Sequence, residues 1–320
     1  MLPTPPGPSR VLVVDPIAPS ALDALSAHYD LTVQLRPPPD DLPGLLHGQD
    51  AIVLRSGITL PAPVIATADR LRVIARAGNG VDNIDLASAR NAGIQVFNIP
   101  SVSSRAVAEL AIALTFAVAR NVAAADRQVR AGVWNKAALA GAELTGKTMG
   151  VIGVGDIGGQ VASLATGIGM SVLGSVSTPT PERVETWAAR GVRLTTTRDV
   201  LASADVVVVA CPLTDRTRWL IDAKAMAVMK PTAYLVNVGR AGIVDDHALY
   251  AALRERRLAG AALDVHRAES GIPALACLDN VVLTPHIGAM TTDAQDRIGA
   301  ALTQGLALAL AGRDAPTRIC

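Results

Sequence analysis

Short apolar runs recur along the chain, and the intervals between most of them are long enough for helices. Many runs are apolar at consecutive positions, which is typical of parallel strands covered by helices on both faces. Ten runs are predicted to be strands, at residues 11–15, 51–55, 71–75, 94–97, 149–153, 171–176, 205–210, 233–237, 261–265 and 280–284. The alternation of strands and helical segments predicts an α/β fold with doubly wound parallel sheets.

Several of the intervening segments are compatible with helices. They include residues 105–119, 157–168, 181–190, 222–229, 245–257 and 291–311. Residues 106–119 form the most apolar stretch of the chain, but it contains Glu109 and Thr115. It is also too short to cross a bilayer, so we expect a buried helix there and no contact with a membrane.

The number of predicted strands is too large for one compact sheet, so two domains are predicted. The segment "NIPSVSS" (98–104) supplies a proline and serines before a long helix and marks a division near residue 100. The last helix follows the final strand and is expected to return to the first domain. The predicted domains are residues 1–100 with 289–320, and residues 101–288.

Composition and charge exclude several kinds of function. The chain has 320 residues, a formal net charge of +1 and 2% aromatic residues, so it lacks the basic surface and stacking aromatics typical of nucleic-acid-binding proteins. Its three cysteines (Cys211, Cys277 and Cys320) are scattered, which fits reduced thiols better than a disulfide framework. The first ten residues lack the apolar segment of a signal peptide. We therefore expect a cytoplasmic protein that binds no nucleic acid, membrane or metal.

Three glycines in "GVIGVGDIGGQVA", which begins at Gly150, have the G-x-G-x-x-G spacing of a dinucleotide-binding loop. Gly153 permits the tight turn, Gly155 lets the backbone approach a pyrophosphate, and Gly158 lets the helix pack closely on the sheet. The helix N-terminus supplies N–H groups and the positive end of a dipole. A simple glycine-rich turn is the alternative, but the preceding apolar strand and the following helical segment favour a dinucleotide site.

The next predicted strand ends without the carboxylate that usually binds the ribose hydroxyls of NAD. Val176 lies at the expected position, flanked by Ser175, Ser177 and Thr178, with Arg183 further along. Hydroxyl groups and an arginine suit the 2′-phosphate of NADP, although a solvated loop would have the same composition. The cofactor is therefore predicted to be NAD or NADP, with at most a modest preference for NADP.

Five segments in order carry a resemblance to a known family. They are "RAGNGVDNID" (76–85), "ELTGKTMGVIGVGDIG" (143–158), "VNVGRAGIVD" (236–245), "GAALDVHRAES" (260–270) and "TPHIGA" (284–289). Together they resemble the D-isomer-specific 2-hydroxyacid dehydrogenases, above all the phosphoglycerate-dehydrogenase-like branch without its regulatory domain. The resemblance implies a Rossmann cofactor domain, a flavodoxin-like substrate domain, an active site in the cleft between them, and a homodimer formed through the cofactor domain.

The resemblance assigns roles to three residues that follow predicted strands. Arg240 binds the substrate, Glu269 is the acid partner, and His286 is the proton donor. The chemistry of reducing a 2-oxo acid agrees, because an arginine pairs with a carboxylate through two hydrogen bonds. A histidine titrates near neutral pH, and a neighbouring carboxylate favours its charged form. Taken singly, each residue would be read as an ordinary polar residue in a loop.

The same resemblance implies further contacts with cofactor and substrate. The cofactor contacts are Gly153, Gly155, Asp156, Ile157, Gly158, Ser175, Val176, Ser177, Cys211, Pro212, Val238, Asp264 and Ala289. The substrate contacts are Arg55, Ser56, Gly78, Asn79 and Gly80. Among these, Asp264 corresponds to a residue that contacts the nicotinamide amide, and Cys211 with Pro212 corresponds to the wall of the adenine pocket.

The chain also departs from the family pattern. Ser270 follows Glu269 where the family usually has proline, and the segment from there to His286 is several residues shorter. Trp219 occupies a position that is usually small. Asp156 replaces a common arginine in the glycine-rich loop, which is unfavourable beside a pyrophosphate unless the side chain points to solvent.

These observations predict reversible hydride transfer between NAD(P)H and a small 2-oxo acid. One alternative is the oxidation of another small anion, such as formate or phosphite. A second alternative is a dinucleotide-sensing binding protein similar to the corepressors that resemble this family. The pair of Glu269 and His286 favours hydroxy-acid chemistry, because formate oxidation needs no proton relay to an alkoxide. The complete set of catalytic residues favours an enzyme over a binding protein.

Overall fold

A computed structural model describes residues 8–266 and 272–320 of the chain. The strands in this part are Arg10–Val13 (β1), Asp30–Val33 (β2), Ala51–Leu54 (β3), Val73–Arg76 (β4), Gln95–Asn98 (β5), Thr148–Ile152 (β6), Ser171–Ser175 (β7), Val192–Leu194 (β8), Val206–Val209 (β9), Tyr234–Asn237 (β10), Gly260–Leu263 (β11) and Val281–Leu283 (β12). The α-helices are Pro19–Ser26 (α1), Leu42–Leu46 (α2), Ala62–Ile65 (α3), Leu86–Asn91 (α4), Ser104–Ala119 (α5), Val122–Arg130 (α6), Asp156–Gly167 (α7), Pro181–Ala188 (α8), Thr197–Ser203 (α9), Ala223–Ala227 (α10), Asp246–Arg254 (α11), Ile272–Ala276 (α12) and Thr292–Leu310 (α13).

The chain divides into two compact units, each built on one parallel sheet. Unit 1 is Met1–Ser103 with Met290–Cys320, and its sheet has the order β2-β1-β3-β4-β5. Unit 2 is Ser104–Ala289, and its sheet has the order β12-β11-β10-β9-β6-β7-β8. The first order is that of flavodoxin-like folds, and the second extends the Rossmann order by one strand. The prediction of two doubly wound parallel-sheet domains is confirmed.

The sheet of unit 1 is buried on both faces, which explains why its strands are apolar at consecutive positions. Side chains alternate along β1, so Leu12 packs in one core while Val11 and Val13 pack in the other. The second of these cores also contains Leu302 and Leu306 of α13. The last helix of the chain therefore completes the core of the first unit.

Two contacts show how closely the end of the chain joins this sheet. Gly305 of α13 faces Phe97 of β5, and a Cβ atom at Gly305 would lie 2.6 Å from the phenyl ring. Beyond the helix, the Ile319 amide donates to the carbonyl of Val96 at 2.7 Å, and the Val96 amide donates to the carbonyl of Cys320 at 3.0 Å. The C-terminal residues thus pair with the outer edge of β5.

Unit 2 has helices on both faces of its sheet. Helices α5 and α7 pack on one face, and α9, α10 and α11 pack on the other. Strands β6, β7 and β8 proceed toward one edge, and β9 to β12 proceed toward the other. The adjacent strands β6 and β9 therefore form a topological switch point, where open α/β sheets bind ligands at the carboxyl ends of the strands.

Strands β2 and β8 were not predicted from the sequence. Each lies at the edge of its sheet, and each has exposed positions, including Asp30 and Val33 in β2 and Arg193 in β8. An edge strand has one neighbour and is less covered by helices, so it needs no run of consecutive apolar residues. Runs of consecutive apolar residues therefore mark the central strands and the edge strands β5 and β12, but not these two.

No single helix among the described residues is both long and apolar enough to cross a membrane. Helices α5 and α6 satisfy the criteria of length and composition only as a pair, and they are bent by 63° where they meet. The same residues contain no group of three or more side chains suited to holding a metal ion.

Candidate active site

The loops that carry most of the predicted site residues lie at one edge of the sheet of unit 2. They follow six of its strands and begin at Gly153, Val176, Ala210, Val238, Asp264 and Thr284. All strands of this sheet are parallel, so their carboxyl ends lie along the same edge. Unit 2 alone thus brings together the predicted cofactor residues with Arg240 and His286.

The glycine-rich loop after β6 is fixed by its neighbours on both sides. Gly153 has a φ of 95°, a conformation that favours glycine. The amides of Gly153 and Val154 both donate to the carbonyl of Ser175, at 3.0 and 3.2 Å. A Cβ atom at Gly153 would lie 2.7 Å from the backbone of Cys211. The loops after β6, β7 and β9 therefore touch at the switch point.

The other two glycines of the motif fit the predicted dinucleotide site. A Cβ atom at Gly158 would lie 2.3 Å from the carbonyl oxygen of Gly153, so only glycine lets α7 approach the loop this closely. A Cβ atom at Gly155 would meet nothing within 4 Å, so this glycine leaves room beside the backbone. The amides of the first turn of α7, including Ile157, have no helical acceptor and suit a phosphate group. Asp156 begins this helix with an exposed side chain, which is consistent with the orientation toward solvent considered above.

The carboxyl end of β7 combines one buried hydroxyl with an exposed polar loop. The Ser175 hydroxyl is buried and accepts from the Thr197 hydroxyl at 3.2 Å. Val176 is half-buried, whereas Ser177 and Thr178 are exposed. The exposed Arg183 of α8 folds back, and its Nη1 donates to the carbonyl of Thr178 at 3.3 Å. Although Arg183 is five residues further along the chain, its guanidinium group thus lies beside this loop.

Cys211 follows β9 and is buried beside the glycine-rich loop. Burial raises the pKa of its thiol to about 11. The next residue, Pro212, is exposed, and its carbonyl accepts from the Thr217 hydroxyl at 2.7 Å. Val238 of the neighbouring loop is buried and donates its amide to the carbonyl of Val209 at 3.1 Å. This arrangement gives the predicted adenine pocket a rigid, uncharged wall.

A buried asparagine holds the loop that carries Arg240. Asn237 is the last residue of β10 and is 1% exposed. Its Oδ1 accepts from the Gly239 amide, and its Nδ2 donates to the carbonyl of Arg240, both at 3.1 Å. The Arg240 guanidinium donates from Nη1 to the carbonyl of Gly239 at 2.9 Å, and the residue is half-buried. The arginine therefore projects from a backbone that is fixed on both sides.

A buried aspartate holds the loop that carries His286. Asp264 follows β11 and is 2% exposed. Its Oδ1 accepts from the Thr284 hydroxyl at 2.6 Å and from the Ile287 amide at 2.8 Å, and its Oδ2 accepts from the Gly288 amide at 2.9 Å. His286 itself donates its amide to the carbonyl of Asp264 at 2.9 Å. A contact of Asp264 with a nicotinamide amide would use a carboxylate that already accepts three hydrogen bonds.

The backbone of His286 is unusual. Its φ is +57°, a left-handed conformation that few residues other than glycine adopt. Its side chain is exposed, and Ala289 after it is half-buried. Such a conformation persists only where the surroundings determine it, and here the bonds to Asp264 do so. The predicted partner Glu269 lies outside the described residues.

The predicted substrate residues lie in unit 1, at the carboxyl ends of β3 and β4. The loop of Arg55 and Ser56 is held by Asn83, whose Nδ2 donates to the carbonyls of Arg55 at 2.7 Å and Ile58 at 2.5 Å. The Arg55 amide also donates to Asp15 at 2.6 Å. Ser56 is exposed and Arg55 is half-buried.

The second predicted substrate loop comprises Gly78, Asn79 and Gly80. Gly78 is buried with a φ of 151°, and a Cβ atom there would lie 1.9 Å from Nη1 of Arg76. The Gly78 carbonyl accepts from the Ile99 amide at 2.9 Å. Asn79 is exposed, and Gly80 is half-buried. The φ of Gly78 favours glycine, and a side chain there would displace the guanidinium of Arg76.

Several residues that shape these loops were not found from the sequence. They are Asp15, Asn83, Asn237 and Thr284, and all four fix the backbone of a loop that carries a predicted site residue. Asp15 and Asn237 had a detectable signal, because each is a polar residue at the carboxyl end of a buried apolar strand. Thr284 has the same signal, because it directly follows the apolar run 281–283, whereas Asn83 has none.

Comparison with known proteins decides the family. Residues 112–288 match the model of the D-isomer specific 2-hydroxyacid dehydrogenase, NAD binding domain. The chain belongs to this family. The matched segment contains all the unit 2 loops described above, from the glycine-rich turn to the loop of His286.

Individual members of the 2-hydroxyacid dehydrogenase family match nearly the whole chain. The D-3-phosphoglycerate dehydrogenase of Mycobacterium leprae is 38% identical over 310 residues, which are 97% of this chain but 58% of that protein. The chain therefore spans little more than half the length of this relative. The hydroxypyruvate reductase of Thermotoga maritima is 38% identical over 301 residues, which cover 92% of this chain and 96% of that protein. The crystal structure of the TT0316 protein from Thermus thermophilus is 34% identical with a TM-score of 0.89, covering 97% of this chain and 100% of that one.

Proposed function

We propose that the protein is an NAD(P)-dependent D-2-hydroxyacid dehydrogenase that reversibly reduces a small 2-oxo acid. The observation that carries this proposal is the arrangement at one edge of the unit 2 sheet. There the loop of His286, held by the carboxylate of Asp264, is accompanied by Arg240 on the loop after β10 and by a dinucleotide-binding turn after β6. A fixed histidine, an arginine and a cofactor loop are the groups that this reaction requires.

In the proposed reaction the side chains of this chain bind the substrate and move one proton. The fork of Arg240 pairs with the carboxylate of the 2-oxo acid and polarises its carbonyl group. The protonated imidazole of His286 donates a proton to the carbonyl oxygen as the C–O double bond becomes a single bond. Glu269 stabilises the imidazolium before that transfer. The bound cofactor supplies the hydride to the carbonyl carbon, or accepts it in the reverse direction.

Unit 1 supplies the remaining substrate contacts in this proposal. The loop of Gly78, Asn79 and Gly80 would bind the substrate carboxylate through the amides of Asn79 and Gly80, because backbone N–H groups in a tight loop suit an anion. The Gly78 amide already donates to the carbonyl of Arg76 at 2.8 Å. Arg55 and Ser56 would bind the same small acid from the loop after β3. Support comes from the way both loops are fixed at the carboxyl edge of the sheet, where α/β folds bind ligands.

We propose that the enzyme uses both cofactors with at most a modest preference for NADPH. No carboxylate stands at Val176 to grip the ribose hydroxyls of NAD or to repel a 2′-phosphate. The exposed hydroxyls of Ser177 and Thr178 and the guanidinium of Arg183 lie beside the same position. These groups support binding of the phosphate without excluding NAD.

The experiment that tests the function is a panel of oxo acids assayed with NADH and with NADPH. Glyoxylate, pyruvate, phenylpyruvate, hydroxypyruvate and phosphohydroxypyruvate differ in size and charge beyond the 2-oxo group. Hydroxypyruvate and phosphohydroxypyruvate are included because relatives are named for hydroxypyruvate and 3-phosphoglycerate. Turnover of at least one acid is expected. Tight cofactor binding without any turnover would contradict the proposal and favour a dinucleotide-sensing binding protein.

We also propose a homodimer that forms through unit 2 in the cytoplasm. Large apolar side chains are exposed on α6 and the loop after it, namely Val122, Val129, Val133 and Trp134, the last of which is 85% exposed. A second copy would cover this surface. Val129→Glu is expected to yield monomers in light scattering after gel filtration, whereas Val184→Glu, an exposed valine of α8, should leave the dimer intact. The proposed location in the cytoplasm is supported by the three free cysteine thiols, which fit a reducing compartment.

A further inference from the structure

A buried carboxylate lies directly beneath the loop of Arg55 and Ser56. Asp15 follows β1 and is 2% exposed. Its Oδ2 accepts from the Arg55 amide at 2.6 Å, and the carboxylate acceptor makes this a charge-assisted bond. Its Oδ1 faces Gly57, where a Cβ atom would lie 2.3 Å away. A side chain at position 57 would therefore displace Asp15 or the loop.

Asp15 acts on the side chain of Arg55 as well as on its backbone. The guanidinium folds back over the start of the loop, where Nη1 donates to the carbonyl of Pro16 at 3.3 Å and contacts the sulfur of Met290 at 3.4 Å. Burial lowers the pKa of Arg55, and the negative charge of Asp15 partly offsets this effect. One carboxylate thus fixes the amide and stabilises the charge of the same arginine.

A second aspartate makes the same kind of contact at the opposite edge of the sheet. Asp50 precedes β3, is 5% exposed, and accepts from the amide of Arg10 at 2.9 Å through Oδ2. It also accepts from Nη2 of Arg70 at 3.2 Å. Both aspartates therefore link β1 to β3 through a backbone amide and lie near an arginine. Only Asp15 does so at the carboxyl edge, where ligands bind.

We propose that Asp15 is a positioning residue that holds Arg55 and Ser56 in the conformation that receives the anionic 2-oxo acid. This inference rests on the proposed function, in which Arg55 and Ser56 contact the substrate. Asp15 itself need not touch the substrate, because its carboxylate is buried and already engaged by the loop. Its effect on catalysis passes through the loop of Arg55 and Ser56.

The test compares Asp15→Asn with Asp50→Asn, using the best oxo acid of the panel. Asp15→Asn is expected to raise the KM for the acid about tenfold or more, the scale of a charge-assisted hydrogen bond, while the Kd of the cofactor stays unchanged. Asp50→Asn should leave that KM within about twofold, even if both variants lose similar thermal stability. Equal changes in KM for the two variants would show a general loss of structure and overturn the inference.

A double-mutant cycle with Arg55→Gln shows whether the effect passes through the arginine. Arg55→Gln should raise the KM by itself, and Asp15→Asn should raise it by a smaller factor in that background than in the wild type, because only its effect on Ser56 remains. Independent, multiplying effects on the KM would overturn the inference and leave the proposed function intact. An unchanged KM in Arg55→Gln would remove Arg55 from the substrate site and overturn the inference as well.

Hydrogen exchange supplies a readout that needs no turnover. The amides of residues 55–58 are expected to exchange faster in Asp15→Asn than in the wild type. In Asp50→Asn their exchange rates should equal those of the wild type. Unchanged exchange in Asp15→Asn would refute the positioning role even in an active enzyme. Absence of turnover by the wild type with every oxo acid would refute the proposed function, and the substrate role of this loop with it.

A second variant perturbs the same contact between Asp15 and the loop, and it can be used if Asp15→Asn does not fold. Gly57→Ala places a methyl group against Oδ1 of Asp15 and displaces the loop from the other side. It is expected to raise the KM for the oxo acid, whereas Gly44→Ala, whose methyl group would meet nothing within 4 Å, should not. Equal KM values for wild type and Gly57→Ala in a folded protein would overturn the inference.

Discussion

His286 donates its amide to the carbonyl of Asp264, and the carboxylate of that aspartate accepts from the amides of the next two residues, Ile287 and Gly288. One residue at the end of β11 thus fixes the backbone before and after the proposed proton donor. A polar group that follows one strand determines the conformation of a loop that follows its neighbour. The position of the imidazole therefore depends on the pairing of β11 with β12.

Asp264→Asn should impair catalysis and stability together. The amide group retains one oxygen acceptor but places an N–H donor toward one of the loop amides or the Thr284 hydroxyl. We expect kcat to fall at least about tenfold and the free energy of unfolding to fall by about 1–3 kcal/mol, the cost of an unsatisfied buried group. Thr284→Val, which removes a single bond, should have a smaller effect on both. Wild-type kcat in a folded Asp264→Asn would contradict this account.

His286→Gln should lower kcat at least about a hundredfold, which is the usual scale for the loss of a general acid. The affinity for the cofactor should be unchanged, because the imidazole is proposed to act on the substrate. Steady-state kinetics and a fluorescence titration of the cofactor measure the two quantities. If the variant kept more than half of the wild-type rate, His286 would have no part in proton transfer.

Two substitutions beside β7 should move the cofactor preference in the same direction. Val176→Asp supplies the missing carboxylate and should swing the ratio of kcat/KM values toward NADH. Arg183→Gln removes the guanidinium that lies beside Thr178. It should weaken the binding of NADPH while leaving the binding of NADH nearly unchanged. Arg190→Gln serves as the control, because Arg190 is an arginine of the same segment that stacks on Trp187. A wild-type preference for NADH beyond about a hundredfold, or about 2.7 kcal/mol, would contradict the proposed dual use.

Trp219 should be replaceable by glycine with less loss of stability than by alanine. Its φ is +50° and its side chain is 52% exposed, so a bulky residue holds a conformation that favours glycine. Both substitutions remove the indole, but only glycine relieves the backbone. We expect Trp219→Gly to be more stable than Trp219→Ala by about 1 kcal/mol in urea unfolding. Equal stability of the two variants would show that the backbone at this position is unstrained.

Cys211 should resist alkylation at neutral pH because burial raises its pKa to about 11 and thus disfavours the reactive thiolate. A raised pKa keeps the thiol protonated up to higher pH, so its reaction should accelerate only as the pH approaches 11. Mass spectrometry after iodoacetamide treatment at mildly alkaline pH should find the exposed Cys277 modified first. If Cys211 were modified as fast as Cys277 in the folded protein under these conditions, its thiol could not be buried.

The sequence predicts the glycine-rich turn well because the spacing of its glycines reflects backbone contacts. Gly153 and Gly158 have no space for a side chain, and this requirement depends on residues close by in the chain or on the adjacent strand. The roles of Asp264 and Asn237 were harder to predict, because they are set by hydrogen bonds to specific loop atoms. Asp264 lies 24 residues before Gly288, so their contact depends on the register of two strands.

Trp219 illustrates a second reason why a local conformation could not be predicted from the sequence. The sequence identified it as large where family members are usually small, but local composition does not reveal a left-handed backbone. Its amide donates to the carbonyl of Gly242 at 2.8 Å, and Ile221 pairs with Val244 just beyond. This pairing with a distant segment determines the conformation of the turn, and the side chain adapts to it.

The return of α13 to unit 1 sets an order for folding during synthesis. The ribosome completes residues 104–289 before it makes the helix that covers Val11, Val13 and Phe97. The N-terminal sheet therefore emerges early with one apolar face covered only by α1, and it must wait through the synthesis of an entire second unit. During that interval the nascent chain presents an apolar surface of the kind that chaperones recognise. Emergence of α13 from the ribosome, rather than the arrival of the first strands, is the event that closes the N-terminal core.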